Sequence, residues 1–153
     1  MSSYPRKSWS SIVVSPVLGA LTAAFLVAGL VVTVVFGLGS GIGLLAAAPL
    51  TGLFTIIRVR TDEIGLTVEF GLLPWVRKRI PIAKIREAGH RDVRAFRDFG
   101  GWGYRIRAGA SGVVQRSGDA LAVRLDSGRE FVVTVDNART GAAVLNGLLT
   151  SRD

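Results

Sequence analysis

Hydrophobic and polar positions divide the chain into two unlike parts. Nearly every residue from Ile12 to Phe36 is apolar, and a second apolar run extends from Ile42 to Ile57, with Gly37, Gly39 and Gly41 between them. A bilayer core about 30 Å thick takes roughly 20 apolar helical residues to cross, so the first run suffices alone. The second is shorter and reaches across with Leu38–Gly41 at one end and snorkelling Arg58–Arg60 at the other. The intervening glycines suit a tight turn. The pattern predicts a transmembrane helical hairpin over residues 12–57, with spans at about 12–36 and 40–57, preceded by an N-terminal tail, 1–11. Pro16 is harmless near the start of the first span, whereas Pro49 should kink the second. Ala20, Ala24 and Ala28 form a small-residue stripe that packs the two spans together, pairs two copies or docks the hairpin in a larger complex.

After Arg60 the period falls to two, the strand period. Ile64, Leu66, Val68 and Phe70 alternate with Gly65, Thr67 and Glu69, and Gly71–Pro74 ends that strand. Val76–Ile80 alternates again, Pro81 marks an edge or bulge, and Ile82–Val93 reads as a more polar extended stretch. Gly103–Arg107 and Val113–Arg116 are further short strands. Leu121–Leu125 and Phe131–Val135 form a hairpin about Asp126–Gly128. Asp136 or Asn137 is the expected N-cap of a helix whose apolar positions Ala142, Leu145 and Leu149 have helical spacing. Residues 58–153 thus form an α+β domain: six to eight short strands in an antiparallel barrel or sandwich, its open end covered by a C-terminal helix.

Charge sharpens this division. No Asp, Glu, Lys, Arg or His occurs between Lys7 and Arg58; all eleven acidic residues and all but Arg6 and Lys7 of the nineteen basic ones follow, a net of +6 in the C-terminal part. That distribution excludes one soluble core and a disordered chain, and the absence of Cys excludes a disulfide scaffold and thiolate metal ligands. A cleaved signal at Ala46–Ala48 is disfavoured, because an h-region of about 7–15 residues is far shorter than the apolar stretch before it. Arg6 and Lys7 before the first span and Arg58 and Arg60 after the second put both termini and the charged domain in the cytoplasm, with Tyr4 and Trp9 in an interfacial belt. The chain reads as a multi-pass protein of a bacterial inner membrane. Neither span holds an ionisable residue, which argues against an ion pathway.

Particular segments resemble something known. Ile64–Leu73 (IGLTVEFGLL) followed by Arg79–Ile85 (RIPIAKI) resembles the opening of bacterial pleckstrin-homology-like domains, which often follow two transmembrane helices. Phe99–Arg105 (FGGWGYR), with Ser117–Leu121 and Phe131–Ala138, resembles actinobacterial membrane proteins of unknown function. The resemblance implies a PH-like fold for residues 58–150 and assigns no ligand-binding residue.

The chemistry-bearing residues are sparse. His90, the single histidine, stands among Gly89, Arg91 and Asp92, a polar setting without metal or triad partners; Asp119, Asp126 and Asp136 have turn or cap explanations; no phosphate loop occurs. No catalytic residue, cofactor or small-molecule substrate is expected. The most unusual segment is Gly100, Gly101, Trp102, Gly103, Tyr104 and Arg105. It reads either as an interaction loop, from its aromatic and arginine content, or as a glycine bulge that folds an aromatic over the sheet end as a core plug. A basic surface of Arg77, Lys78, Arg79, Lys84 and Arg86, extended by Arg91, Arg94 and Arg97, is held near the inner leaflet, where it would contact anionic lipid or serve solubility alone. Nucleic acid is not an expected partner, since membrane topology already accounts for the charge. Three functions follow: a non-catalytic module for a protein partner or self-association, recognition of anionic lipid headgroups, and an auxiliary subunit of a membrane complex.

Overall fold

The computed structural model describes residues 8–71, 73 and 75–151. Tyr4, Arg6, Lys7, Leu72, Pro74 and Asp153, used in the sequence reading, lie outside them. Among the described residues the order is β1 (Trp9–Val14), α1 (Pro16–Phe36), α2 (Ile42–Leu53), β2 (Ile56–Asp62), β3 (Gly65–Phe70), β4 (Arg77–Pro81), a single 3-10 turn, β5 (Ile85–Val93), α3 (Ala95–Phe99), β6 (Gly103–Arg107), β7 (Ala110–Val114), β8 (Gly118–Leu125), β9 (Glu130–Thr134) and α4 (Ala138–Thr150).

The first departure from the expected pattern is β1. Ile12, Val13 and Val14 belong to a strand that pairs antiparallel with β2, from Trp9↔Thr61 to Val14↔Ile56, and not to a membrane span. Its alternation is that of a half-buried strand: Ser11 and Val13 face the core while Ser10, Ile12 and Val14 are exposed. Trp9, expected at the membrane surface, lies against Gly141 of α4. Likewise Ile56 and Ile57, expected at the end of the second span, open β2. Both helices are therefore inserted between two paired strands.

The junction has no linker. The Ser15 amide donates to the Thr55 carbonyl at 2.7 Å, continuing the β1–β2 ladder by one step. Ser15 is also the N-cap of α1, its hydroxyl accepting from the Leu18 amide at 3.3 Å, and Pro16 stands at the position where its missing N–H costs nothing. α1 has 21 residues, about 31 Å of helix, and is apolar and long enough to cross a membrane. α2 has 12 residues, about 18 Å, and is too short to do so alone. The helices run side by side in opposite directions. Thr22 and Thr51 hydroxyls meet at 2.9 Å, and Gly29 gives Leu45 room that a Cβ would fill at 2.8 Å. Their contact uses Thr22 and Gly29 of α1; Ala20, Ala24 and Ala28 face outward, so the alanine stripe does not join the two helices.

β1-β2-β3-β4 form one antiparallel sheet and β5-β8-β9-β7-β6 a second. The second is mixed, because β7 and β9 are parallel. Among the described residues the two sheets do not close into a barrel: β4 and β6 each have one neighbour. The main core lies between the sheets and α4, built from Ile57, Val59, Leu66 and Val68 on one side and Leu121, Val123, Phe131 and Val133 on the other, with Leu145 between. The α4 face given by Ala142 and Leu145 is buried as its spacing predicts. Its first amide is capped differently: Asn137 makes no side-chain cap, and Asp119 of β8 accepts from the Ala138 amide at 2.8 Å. Asn146 pins α4 to β5, accepting from the Ala88 amide and donating to the Ala88 carbonyl, both at 2.8 Å. A second small core on the outer face of the mixed sheet joins Val93, Ala95 and Phe99 to Val114, Ala120 and Val132, with Trp102 against it.

A candidate binding cleft at the sheet edges and helix ends

Two segments near the helix ends bring the candidate residues together. β3 is followed by Gly71, whose amide donates to the Ile56 carbonyl at 2.6 Å and whose φ is +65°. A Cβ there would lie 1.9 Å from the Leu53 carbonyl oxygen, so this turn sits hard against the end of α2. Beyond it Leu73 borders an apolar cavity of about 670 Å³ walled by Thr22, Leu26, Pro49 and Leu53. Trp75 follows, 72% exposed. β4 then buries only Ile80 and leaves Arg77, Lys78 and Arg79 in solvent. Glu69, opposite Arg77, is 3.8 Å from Arg58 instead.

The second segment is the glycine-rich loop after α3. Gly100 is left-handed at φ +70° and ends α3, and Gly101 at φ +136° is buried. The chain thereby doubles back, and Trp102, half-buried, meets Phe96 edge-to-face at 4.5 Å. Arg105 donates from Nε to the Trp102 carbonyl at 3.0 Å, which fixes its guanidinium across the loop. Trp102 packs on the small core, and the loop's outer side lines an open cleft.

That cleft, of about 940 Å³, is lined by all six loop residues Gly100–Arg105, by Val76, Arg77 and Lys78 of the facing segment, and by Leu18, Leu50 and Phe54 at the helix ends. Gln115, 1% exposed, borders it. It joins the mixed sheet to both helices: its carbonyl accepts from the Ser15 hydroxyl at 3.1 Å, and its Nε2 donates to the Phe54 carbonyl at 3.1 Å. Its Oε1 has no hydrogen-bond partner among the described residues, so an acceptor is left beside the cleft. A second groove of about 670 Å³ lies further along the same seam, with Ile80, Leu125 and Phe131 beneath it and Lys78, Arg79, Lys84 and Arg129 around it. Lys78, 6.0 Å from the Tyr104 ring centre, stands between cleft and groove and joins the two sheet edges by a cation–π contact.

Among the described residues, Arg77, Lys78, Arg79, Lys84, Arg105 and Arg129 make no ion pair. Of the five basic residues expected to act together, Arg77 and Lys78 line the cleft and Lys78, Arg79 and Lys84 the groove. Arg86 lines neither and pairs with Asp126 at 3.4 Å. Arg91, counted with them, pairs with Glu130 at 3.2 Å. Sequence reasoning missed Phe96, Gln115 and Arg129, and the walls contributed by Leu18, Leu50 and Phe54. Arg129 lay in a hairpin loop that had a turn explanation, and Gln115 had only its place in a short apolar strand to mark it. Among the described residues no three His, Asp or Glu side chains gather as a metal site requires. No protein-family model matches the chain, and no curated protein matches it.

Proposed function

We propose that the chain is a non-catalytic, membrane-anchored binding module, PH-like in its two sheets and covering helix, whose junction cleft holds an anionic phospholipid at the cytoplasmic face of a bacterial inner membrane. The observation that carries this reading is the composition of the cleft wall. The apolar helix ends Leu18, Leu50 and Phe54 and the unpaired cations Arg77, Lys78 and Arg105 border one space, as a molecule with acyl chains and an anionic head requires. The apolar surface supports burial in lipid, since Val34 and Phe36 of α1 and Leu38 in the turn after it are exposed and would be costly in water. Because β1 and β2 pair with each other, the helices enter and leave by the same face, which fits the positive-inside reading of Arg58 and Arg60. Leu73 beside α1 and α2, the exposed Trp75 and Phe96 and Trp102 at the cleft supply aromatic and apolar residues that favour a membrane interface.

Each cation near an anionic surface contributes about 1 kcal/mol, so three contribute about 3 kcal/mol, roughly a hundredfold in affinity. The test uses the full chain in nanodiscs containing phosphatidylglycerol or only phosphatidylcholine, extracted and weighed intact by native mass spectrometry. Retained phosphatidylglycerol is expected, lost in the Arg77→Ala, Lys78→Ala, Arg105→Ala triple variant and at high salt. Equal retention of the two lipids, or an unaffected triple variant, would refute the proposal.

A further inference from the structure

The seam between β4 and β6 has a second half that contains no α1 or α2 residue, and so lies apart from the helix ends. We infer that this outer groove accepts an extended acidic segment of a partner protein, added as a strand to β6. Edge strands present unpaired backbone N–H and C=O groups, and β4 and β6 are the facing edges of two sheets that stay open to each other. The edges differ. β4 ends in Pro81, which has no N–H, and carries three consecutive cations, devices that discourage strand addition. β6 has no proline and is exposed on both faces from Tyr104 to Arg107, with Ile106 67% exposed.

The two faces of β6 define the occupant. Tyr104 and Ile106 line the groove, above the apolar floor of Leu125 and Phe131, while Arg105 and Arg107 point to the opposite face by strand alternation. An added strand of alternating apolar and acidic residues satisfies both: main-chain bonds supply affinity and the alternate side chains specificity. Lys78, Arg79, Lys84 and Arg129 around the groove attract an acidic chain by their field and do not pair with its carboxylates, and Asp126, the carboxylate among the described lining residues, is held by Arg86. A second copy of this chain is the wrong occupant, because pairing β6 with β6 would set Arg105 and Arg107 against their own counterparts.

The probe is a fluorescein-labelled heptapeptide of alternating glutamate and valine, titrated against the full chain in phosphatidylcholine nanodiscs and read by anisotropy and by amide exchange. Saturable binding is expected at low salt, with slowed exchange in β6. N-methylation of alternate peptide amides should weaken it at least tenfold, as should replacing glutamate by lysine, and Ile106→Pro should do the same. The methylated peptide needs no altered protein, so a folding defect in the variant leaves the result readable. Absence of saturable binding, or equal binding of the methylated peptide, would overturn the inference. Slowed β6 exchange in phosphatidylglycerol nanodiscs without peptide would also overturn it, by giving the groove to lipid.

Discussion

Excising the helices should leave a folded, water-soluble domain, provided that β1 is kept. Ser15 and Thr55 are related as the flanking residues of a two-residue hairpin loop, with the Ser15 amide already bonded to the Thr55 carbonyl at 2.7 Å. Replacing residues 16–54 by Asn-Gly, the dipeptide suited to a type I′ turn, joins β1 to β2 without moving either. The losses are confined to the junction: Gln115 exchanges the Phe54 carbonyl for water, about 1 kcal/mol, and Phe70 loses its edge contact with Phe54, about 1 kcal/mol more. A fragment beginning at Arg58 is a different matter. It lacks Val13 and Ile57, 1% and 0% exposed, and half-buried Trp9, which lies on α4. At about 2 kcal/mol for each buried apolar side chain, the loss is about 6 kcal/mol, comparable with the whole stability of a small domain. The excised protein should be monomeric in buffer and melt cooperatively by circular dichroism, while the fragment from Arg58 should aggregate or show no transition. A cooperatively melting fragment beside an unfolded excised protein would refute the role given to β1.

Three further outcomes follow from particular contacts. Asn146→Leu removes both bonds to Ala88, leaving a part-buried amide and carbonyl unpaired, and should cost about 2–3 kcal/mol in urea denaturation of the excised domain; a loss below about 0.5 kcal/mol would contradict the geometry. Gly71→Ala, at φ +65° and 1.9 Å from the Leu53 carbonyl oxygen, should lower the melting temperature of the full chain in detergent, an expectation that an unchanged melt would defeat. A variant with Trp75 as its single tryptophan should be quenched strongly by brominated lipid, whereas Trp9 alone should not; the reverse order would invert the proposed docking face.

The sequence made some of this architecture readable and concealed the rest for identifiable reasons. α4 was legible because it buries one face, so its period survives in the residue order, and β8 and β9 because their larger inward residues flank a turn at Asp126–Gly128, although β9 is buried on both faces. β1 was hidden because its apolar residues run straight into α1; Ile12 and Val14 are exposed yet as apolar as a span requires, and only pairing with β2, some forty residues away, makes them a strand. α3 was hidden by its brevity, although the Ala95 to Phe99 spacing and the following Gly100 carried its signal. In the cleft, the unusual composition of Gly100–Arg105 and the clustered charge of Arg77–Arg79 both marked themselves. That they face each other beside Leu18 and Phe54 depends on the order of strands in two sheets. Arg86 could not be separated from its neighbours by sequence, because its carboxylate, Asp126, comes from a distant hairpin.

The placement of both helices inside a strand pair has a consequence for biosynthesis. Synthesis runs from the N-terminus, so Trp9–Val14 emerges first and has no partner until Ile56 leaves the ribosome, a wait of several seconds at about 5–20 residues per second. With α1 and α2 seated in the bilayer as proposed, the sheet can begin only after the second helix has brought the chain back. A molecule whose helices failed to return would leave Val13 and Ile57 on opposite sides of the membrane and could never complete its core. On the proposed topology, folding of the domain would then act as a check on insertion, since chains that fail to return would keep Val13 and Ile57 apart and stay exposed to proteolysis.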